Sequence, residues 1–293
     1  MSVEERAPQR VLVTGGASGL GAALAAEYVE RGYDVLIGDI NEPSSTTPVV
    51  EERGTSVSKP HFIHLDVRSD ADWAAALAWV TENWGGLDVL VNNAGVAGGG
   101  RVDLASMDEW QWITEINLFG VVRGTRTFVP MFKDQRSGQI VNVASLAGLV
   151  HPAGMGSYNA VKAGVVAFSE TCAHELAEYD VRCSVVCPSY FRTNLIENMQ
   201  ALAPPGGDTA VGEVIGSLVA DAPLGPEEIA AAVLEGLDRG EELILPDDAA
   251  RAAHQLKVSD RSAYDHVMRK QAARLNAMGS GASDRPTEST TGR

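Results

Sequence analysis

Short runs of β-branched and aliphatic residues alternate along this chain with longer alanine-rich stretches whose apolar positions recur every three to four residues. The short runs predict strands at 10–14 (RVLVT), 34–39 (DVLIGD), 61–66 (HFIHLD), 88–92 (DVLVN), 138–144 (GQIVNVA), 181–187 (VRCSVVC) and 241–245 (EELIL). The longer stretches predict helices at 19–31, 69–83, 108–132, 157–179 and 226–238. Ser69 and Ser106 stand ahead of acidic first turns and read as N-caps, and Pro226 followed by Glu227 and Glu228 reads as another helix start. Several strand runs are apolar almost without interruption, which suits strands covered on both faces better than half-exposed hairpins. The expected architecture is therefore α/β, a doubly wound parallel sheet of about seven strands with helices on both faces.

No Pro/Gly/Ser linker divides this series, so one domain is expected over residues 8–277. Residues 1–7 are then an N-terminal extension, and 278–293, small and polar, read as a disordered tail. Two internal segments break the pattern. Residues 41–60, rich in Ser, Thr and Pro, are expected to form a long surface connection. Residues 194–225, which contain Pro204-Pro205-Gly206-Gly207, are expected to be a substrate lid or a plain loop.

With 293 residues and 45% hydrophobic content, the chain can bury a sizeable core. Its net charge of −16 repels nucleic acid and anionic membrane surfaces, so neither is expected as a partner. An anionic cofactor must then be held by local backbone donors. Cys172, Cys183 and Cys187 lack the spacing of a zinc site or a disulfide framework and read as reduced, buried thiols, and no metal is expected. No apolar run reaches the ~18 residues of a membrane span, and Met1 to Arg10 carry no signal-peptide core, so the expectation is a soluble cytoplasmic protein.

The candidate chemistry begins with Thr14-Gly15-Gly16-Ala17-Ser18-Gly19-Leu20-Gly21, which follows the first predicted strand and opens the first helix. Glycines there admit a pyrophosphate close to the backbone, and the helix N-terminus offers unpaired N–H groups and a positive dipole end. A plain strand-to-helix turn is the alternative. Asp39 ends the second strand; a carboxylate there accepts hydrogen bonds from an adenosine ribose and repels a 2′-phosphate, which favours NAD over NADP. Otherwise Asp39 only caps the turn into Asn41. Tyr158 and Lys162, four residues apart on a predicted helix, share a face, with Ser145 upstream. A neighbouring ammonium favours tyrosinate, so Lys162 is expected to bring the Tyr158 pKa down from its ordinary value near 10. Such a pair arises by chance about once in ten chains of this composition, so a surface i,i+4 pair competes with the catalytic reading.

Taken together, the glycine turn (T-G-x-x-x-G-x-G in form), Asn92-Asn93-Ala94-Gly95, Ser145 and Tyr158/Lys162 closely resemble the short-chain dehydrogenase/reductase family over residues 8–245. The resemblance implies a single-domain Rossmann-like fold and a cofactor site in which Gly15, Ser18, Gly19, Leu20 and Gly21 line the pyrophosphate turn. Asp39 would take the adenosine ribose, and Asp66 and Val67 would contact the adenine. Asn93 would steady the central strand beside the cofactor, and Thr193 would contact the carboxamide. It implies that Tyr158 is general acid or base, Lys162 its pKa-lowering partner and a ribose ligand, and Ser145 the holder of the substrate oxygen. Asn117 would help hold a water beside Lys162. One departure stands out: the family usually has Pro-Gly after the sixth strand, where this chain has Pro188-Ser189.

The function expected is NAD-dependent hydride transfer to or from a small-molecule secondary alcohol or ketone, in a homotetramer or homodimer. Val96, Leu146, Leu149, Met155, Tyr190 and Phe191 suggest an apolar pocket, each with ordinary core as its alternative. His151 reads as a surface histidine near the entrance, and Arg192 as either a substrate contact or a partner for a carboxylate. A non-catalytic dinucleotide sensor or scaffold on the same fold is the competing reading, disfavoured because Ser145, Tyr158 and Lys162 occur together. An epimerase or dehydratase using NAD transiently is disfavoured by the N-N-A-G form.

Overall fold

The computed structural model describes residues 9–43, 59–193 and 208–280. The N-terminal extension, the body of the 41–60 connection, the first half of the 194–225 segment and the tail past 280 lie outside the described residues. At the centre is a seven-stranded parallel sheet of β1 (Arg10–Thr14), β2 (Asp34–Asp39), β3 (His61–His64), β4 (Val89–Asn92), β5 (Gly138–Val143), β6 (Val181–Val186) and β7 (Leu243–Ile244), in the order β3-β2-β1-β4-β5-β6-β7.

Alternate residues of each strand enter opposite cores. Val11, Val13, Val35, Ile37, Val91 and Val141 pack on one face beneath α1 (Gly19–Glu30) and α8 (Pro226–Asp238). Leu12, Leu36, Leu90 and Ile140 pack on the other with Trp73 of α2 (Asp70–Trp84), Phe128 and Phe132 of α4 (Gly120–Gln135), and Leu176 of α6 (Gly156–Leu176). Both faces are buried, which is why the central strands are apolar almost without interruption. Strand order reverses between β1 and β4, so their carboxyl ends bound the crevice where ligands bind in sheets of this kind.

Local signals in the sequence set several helix starts. Ser69 accepts from the Asp72 N–H at 3.1 Å, Ser106 from the Glu109 N–H at 3.2 Å, and Glu228 reaches back to the Gly225 N–H at 2.8 Å. The predicted helix 108–132 is instead α3 (Met107–Thr114), a π-helical turn over Glu115–Phe119, and α4. Single π turns of this kind occur frequently at functional sites, and this one carries Asn117. The predicted 157–179 helix closes as a 3₁₀ turn over Ala177–Tyr179.

The rear of the 194–225 segment is not irregular: Thr209–Ala220 forms α7, with Val211, Ile215 and Val219 on its buried face. Two helices absent from the sequence expectation follow β7, namely α9 (Asp248–Ser259) and α10 (Arg261–Ser280). Cys172, Cys183 and Cys187 are free, buried thiols. Among the described residues, no helix is long and apolar enough to cross a membrane, and no group of His, Cys, Asp and Glu is arranged to hold a metal.

Candidate active site

The glycine turn is held by its own packing against the end of β4. Gly15 (φ 64°) and Gly19 (φ 54°) occupy the left-handed region, which costs glycine nothing. Thr14 Oγ1 donates to the Val91 carbonyl at 3.2 Å and accepts from the Asn93 and Ala94 N–H groups at 3.0 and 3.1 Å. Asn93 Nδ2 donates to the carbonyls of Thr14 (2.9 Å) and Gly15 (3.3 Å), so this side chain ties β4 to the turn. α1 begins without a side-chain cap and without an acidic residue in its first turn, leaving its first N–H groups and positive dipole end for an anion.

The residues present fit a dinucleotide. A cavity of about 1100 Å³ runs from Asp39, Ile40 and Asn41 past Ser18, Gly19, Leu20 and Gly21 to Ser145, Tyr158 and Lys162. At its first end, Asp39 accepts from the N–H groups of Ala17 and Asn41, each at 3.0 Å, so the capping role is present and the carboxylate also braces the glycine turn. Asp66 and Val67 line the same end. Arg68 holds the Asp66 carboxylate, the shortest contact 2.7 Å, and keeps its pKa below the ordinary range by hydrogen bonding. Val67 is buried, and its carbonyl accepts from Trp73 Nε1 at 3.0 Å. Thr193 lines the cavity with its Oγ1 beside Gly19, 3.1 Å from where a Cβ there would sit.

At the other end, Tyr158 and Lys162 lie on one face of α6, with the lysine Nζ 5.8 Å from the tyrosine ring centroid. Ser145, just past β5, hydrogen-bonds the Tyr158 hydroxyl and accepts from the Ala147 N–H at 3.1 Å. Lys162 is buried, and its ammonium donates to the Val143 carbonyl at 3.0 Å. Asn117 is fully buried and does not line the cavity; its amide accepts from the Val96 N–H and donates to the Val96 carbonyl, both at 2.8 Å. It borders the same spot as the lysine, since a Cβ on Gly95 would be 3.1 Å from Asn117 Oδ1 and 3.6 Å from Lys162 Nζ.

The electrostatics of the pair differ from expectation. Burial pushes Tyr158 up to about 12, with the Ser145 hydrogen bond only partly opposing it. Burial likewise pulls Lys162 down to about 8. Desolvation thus dominates both groups, and in this form Tyr158 is a proton donor at neutral pH.

Of the six residues expected to line an apolar pocket, Val96, Leu146, Met155, Tyr190 and Phe191 do so, whereas Leu149 packs with Val165 and Val185 in a separate cluster. His151 is exposed and lies outside the cavity lining, with Nε2 3.1 Å from the Gly148 carbonyl and Nδ1 2.8 Å from Lys257 Nζ. Arg192 lies outside the cavity lining; it donates to the Ala222 carbonyl at 2.8 Å, fastening its loop to the end of α7, and its charge acts on the Glu228 carboxylate. The 194–225 segment, expected as a lid or plain loop, contributes Val214 and Leu218 from α7 to the wall, whereas the wall supplied by α10, which includes Gln271 and Leu275, was missed. The signal for α7 was legible, because Val211, Val214, Ile215, Leu218 and Val219 follow a helical period.

Ser189 has a specific partner. Its N–H and hydroxyl bond to the two oxygens of Asp247, at 2.9 and 2.6 Å, while Asp247, 4% exposed, also caps α9 through the Ala250 N–H at 2.8 Å. The serine that replaces the family glycine therefore fastens the loop after β6 to the C-terminal helices. Asp247→Ala removes a helix cap and leaves the two half-buried Ser189 donors unpaired, so it is expected to destabilise the protein by about 1–3 kcal/mol. Thermal unfolding checks this, with Ser189→Gly expected to lose a smaller part of the same energy.

A glycine turn at a sheet switch point, sharing one cavity with a Ser, Tyr and Lys group, defines a dinucleotide-dependent oxidoreductase by its parts. Residues 9–202 match the family described as short chain dehydrogenase, and the chain belongs to that family. It is 35% identical over 224 residues to a cyclopentanol dehydrogenase of Comamonas sp. (strain NCIMB 9872), covering 76% of this chain and 87% of the relative. It is 34% identical over 221 residues to a trans-4-hydroxycyclohexanecarboxylate dehydrogenase of Sinomonas cyclohexanicum, covering 72% and 85%. A crystal structure of a short-chain dehydrogenase/reductase from Burkholderia phymatum in complex with NAD superposes with a TM-score of 0.78 at 28% identity, covering 86% of this chain and 94% of that one.

Proposed function

We propose that this protein is an NAD-dependent oxidoreductase that moves a hydride between nicotinamide and a secondary alcohol or ketone, with Tyr158 as its general acid and base. The observation that carries this reading is the convergence of Ser145, Tyr158 and Lys162 on the cavity that begins at the glycine turn. Bound nicotinamide dinucleotide supplies the hydride donor or acceptor. Gly15, Ser18, Gly19, Leu20 and Gly21 hold the pyrophosphate against the α1 N-terminus, Asn93 keeps that turn in register with β4, and Asp66, Val67 and Thr193 bound the cofactor along its length.

Ser145 Oγ holds the substrate oxygen and stabilises charge that builds there. Tyr158, hydrogen-bonded to Ser145 and protonated at neutral pH, delivers its proton to a ketone oxygen and is left as tyrosinate; in the oxidising direction it must first lose that proton, and the tyrosinate then takes the proton of the alcohol. Lys162 hydrogen-bonds the ribose and, when charged, favours tyrosinate at the moment of proton loss. Asn117 fixes the Val96 backbone opposite Lys162 and keeps the Gly95 edge open for a water.

NAD is favoured over NADP because Asp39 places a carboxylate at the ribose end beside the uncharged Ile40 and Asn41, and because Arg68 is already committed to Asp66. Wild-type protein is expected to bind NADH about tenfold or more tightly than NADPH, and Asp39→Ser to lose most of that preference. Fluorescence titration with each reduced cofactor checks this, and a wild-type preference for NADPH overturns the assignment.

The two curated relatives act, by their names, on alicyclic secondary alcohols, and the apolar lining from Val96, Leu146, Met155 and Tyr190 suits such a ring. The substrate class proposed is accordingly an alicyclic secondary alcohol or the matching ketone. A soluble, cytoplasmic homodimer or homotetramer built on the α4 and α6 faces completes the reading. Screening such alcohols with NAD⁺ while following the absorbance of reduced nicotinamide tests the function; failure of every alcohol and ketone rejects it.

A further inference from the structure

The cavity is electrostatically lopsided. Its described acidic lining residues, Asp39 and Asp66, both lie at the end away from Tyr158, and Arg68 neutralises the second of them. Across the opposite end lies α10, which presents His266, Lys270 and Arg274 to the cavity. Their spacing of four residues puts them on one helix face, a row of about 12 Å. All three side chains are exposed, and among the described residues none has an ion-pair partner. Residues 266–280 contain no acid, and Asp265 is taken by Arg261 at 2.8 Å. Asp208, the N-cap of α7, pairs with Arg101 at 2.7 Å, and Glu213, the carboxylate within α7, is exposed and forms no ion pair with the row among the described residues.

Like charges at i,i+4 spacing, here Lys270 and Arg274, destabilise a helix by roughly 0.2–0.5 kcal/mol, and no ion pair among the described residues offsets that cost. The row belongs to the substrate end rather than the phosphate end. Leu275, next to Arg274, packs with Met155, Val211 and Ile215 in the cluster that also receives Tyr158 and Tyr190.

We propose that the substrate carries an anionic group, of carboxylate type, which Lys270 and Arg274 receive at the cavity mouth while its carbinol carbon lies at Tyr158. This inference deepens the oxidoreductase reading and rests on it for the position of the reacting carbon. The apolar lining between the two ends then holds the ring, and the charged ends set its direction. α10 is a specificity element, because uncharged alcohols receive nothing from it.

The test compares wild type with Lys270→Gln/Arg274→Gln, using a hydroxycycloalkane carboxylate and the uncharged cycloalkanol of the same ring. The double variant is expected to raise KM for the carboxylate about tenfold or more, leave KM for the neutral alcohol within about twofold, and abolish the salt dependence of the former. Equal effects on both alcohols overturn the proposal, as does an effect confined to NADH affinity, which would assign the row to the cofactor. A second measurement needs no turnover: calorimetry of cyclohexanecarboxylate, which has no hydroxyl to oxidise, binding to the NADH-loaded protein. Binding that the double variant loses, in a protein that oxidises no alcohol, sinks the oxidoreductase reading and leaves the anion site standing. Turnover of alcohols with no carboxylate binding does the reverse.

Discussion

Tyr158→Phe is expected to lower kcat for alcohol oxidation and ketone reduction by about 10²–10⁴-fold, the usual worth of a positioned general acid or base. The phenol is the group of this site that can hand a proton to a bound substrate oxygen. Ser145 bonds to it, and Lys162 is spent partly on the Val143 carbonyl. Phenylalanine keeps the ring and its packing against Met155 and Val161, so the fold and the affinity for NADH should stay near wild type. The split between kcat and cofactor binding separates lost chemistry from a damaged site. A related pH effect follows from the lysine. Lys162 loses its charge as pH rises through about 8, so its help in stabilising tyrosinate is present below that pH and fades above it.

Gly21→Ala is the second substitution with a large expected effect. A Cβ at this position would fall 2.1 Å from the Gly15 carbonyl oxygen and 2.5 Å from Asn93 Nδ2. The first contact is with backbone that is itself held by the Asn93 and Thr14 bonds, so relief requires the turn to open. Overpacking of this kind costs about 1–3 kcal/mol or more, and the displaced turn is the surface on which the pyrophosphate sits. The expected result is a clear fall in melting temperature together with at least about a hundredfold loss of NADH affinity. Gly212→Ala is the matched control. It lies in α7 with open space around the added methyl, and is expected to be neutral or stabilising by up to about 1 kcal/mol.

The sheet was legible in the sequence because its central strands are buried on both faces, so RVLVT and DVLIGD carry a strong apolar signal that turns on either side interrupt. Strand ends were less legible. The third strand closes at His64 rather than Asp66, since the Asp66 N–H turns away to Asp72 at 2.9 Å. The π turn at Glu115–Phe119 was hidden because an apolar period runs through it without a break. The C-terminal helices were invisible to a hydrophobic pattern for a physical reason: Ala250, Tyr264 and Leu275 are the buried residues of 248–278, too few to define a stripe.

The site shows the same division. Local motifs located the glycine turn, Asn93, Ser145 and the Tyr158/Lys162 pair, and the structure brings them to one cavity. What sequence could not show is what depends on distant partners. Ser189 looked like an unexplained departure until Asp247, 58 residues away, supplied both of its bonds. Tyr158 looked like a group that Lys162 lowers, and the depth of the site raises it instead. The cationic row on α10 had no meaning until the helix was seen across the cavity mouth.

The most direct test of the central claim follows a label. Purified protein is mixed with NAD⁺ and an alicyclic secondary alcohol deuterated at the carbinol carbon, and the recovered nicotinamide is analysed by mass spectrometry and NMR. The account predicts that the reduced cofactor carries one deuterium at the nicotinamide ring, that the alcohol returns as its ketone, and that Tyr158→Phe makes little of either. Reduced cofactor without the label, or ketone formed as readily by Tyr158→Phe as by wild type, would contradict it.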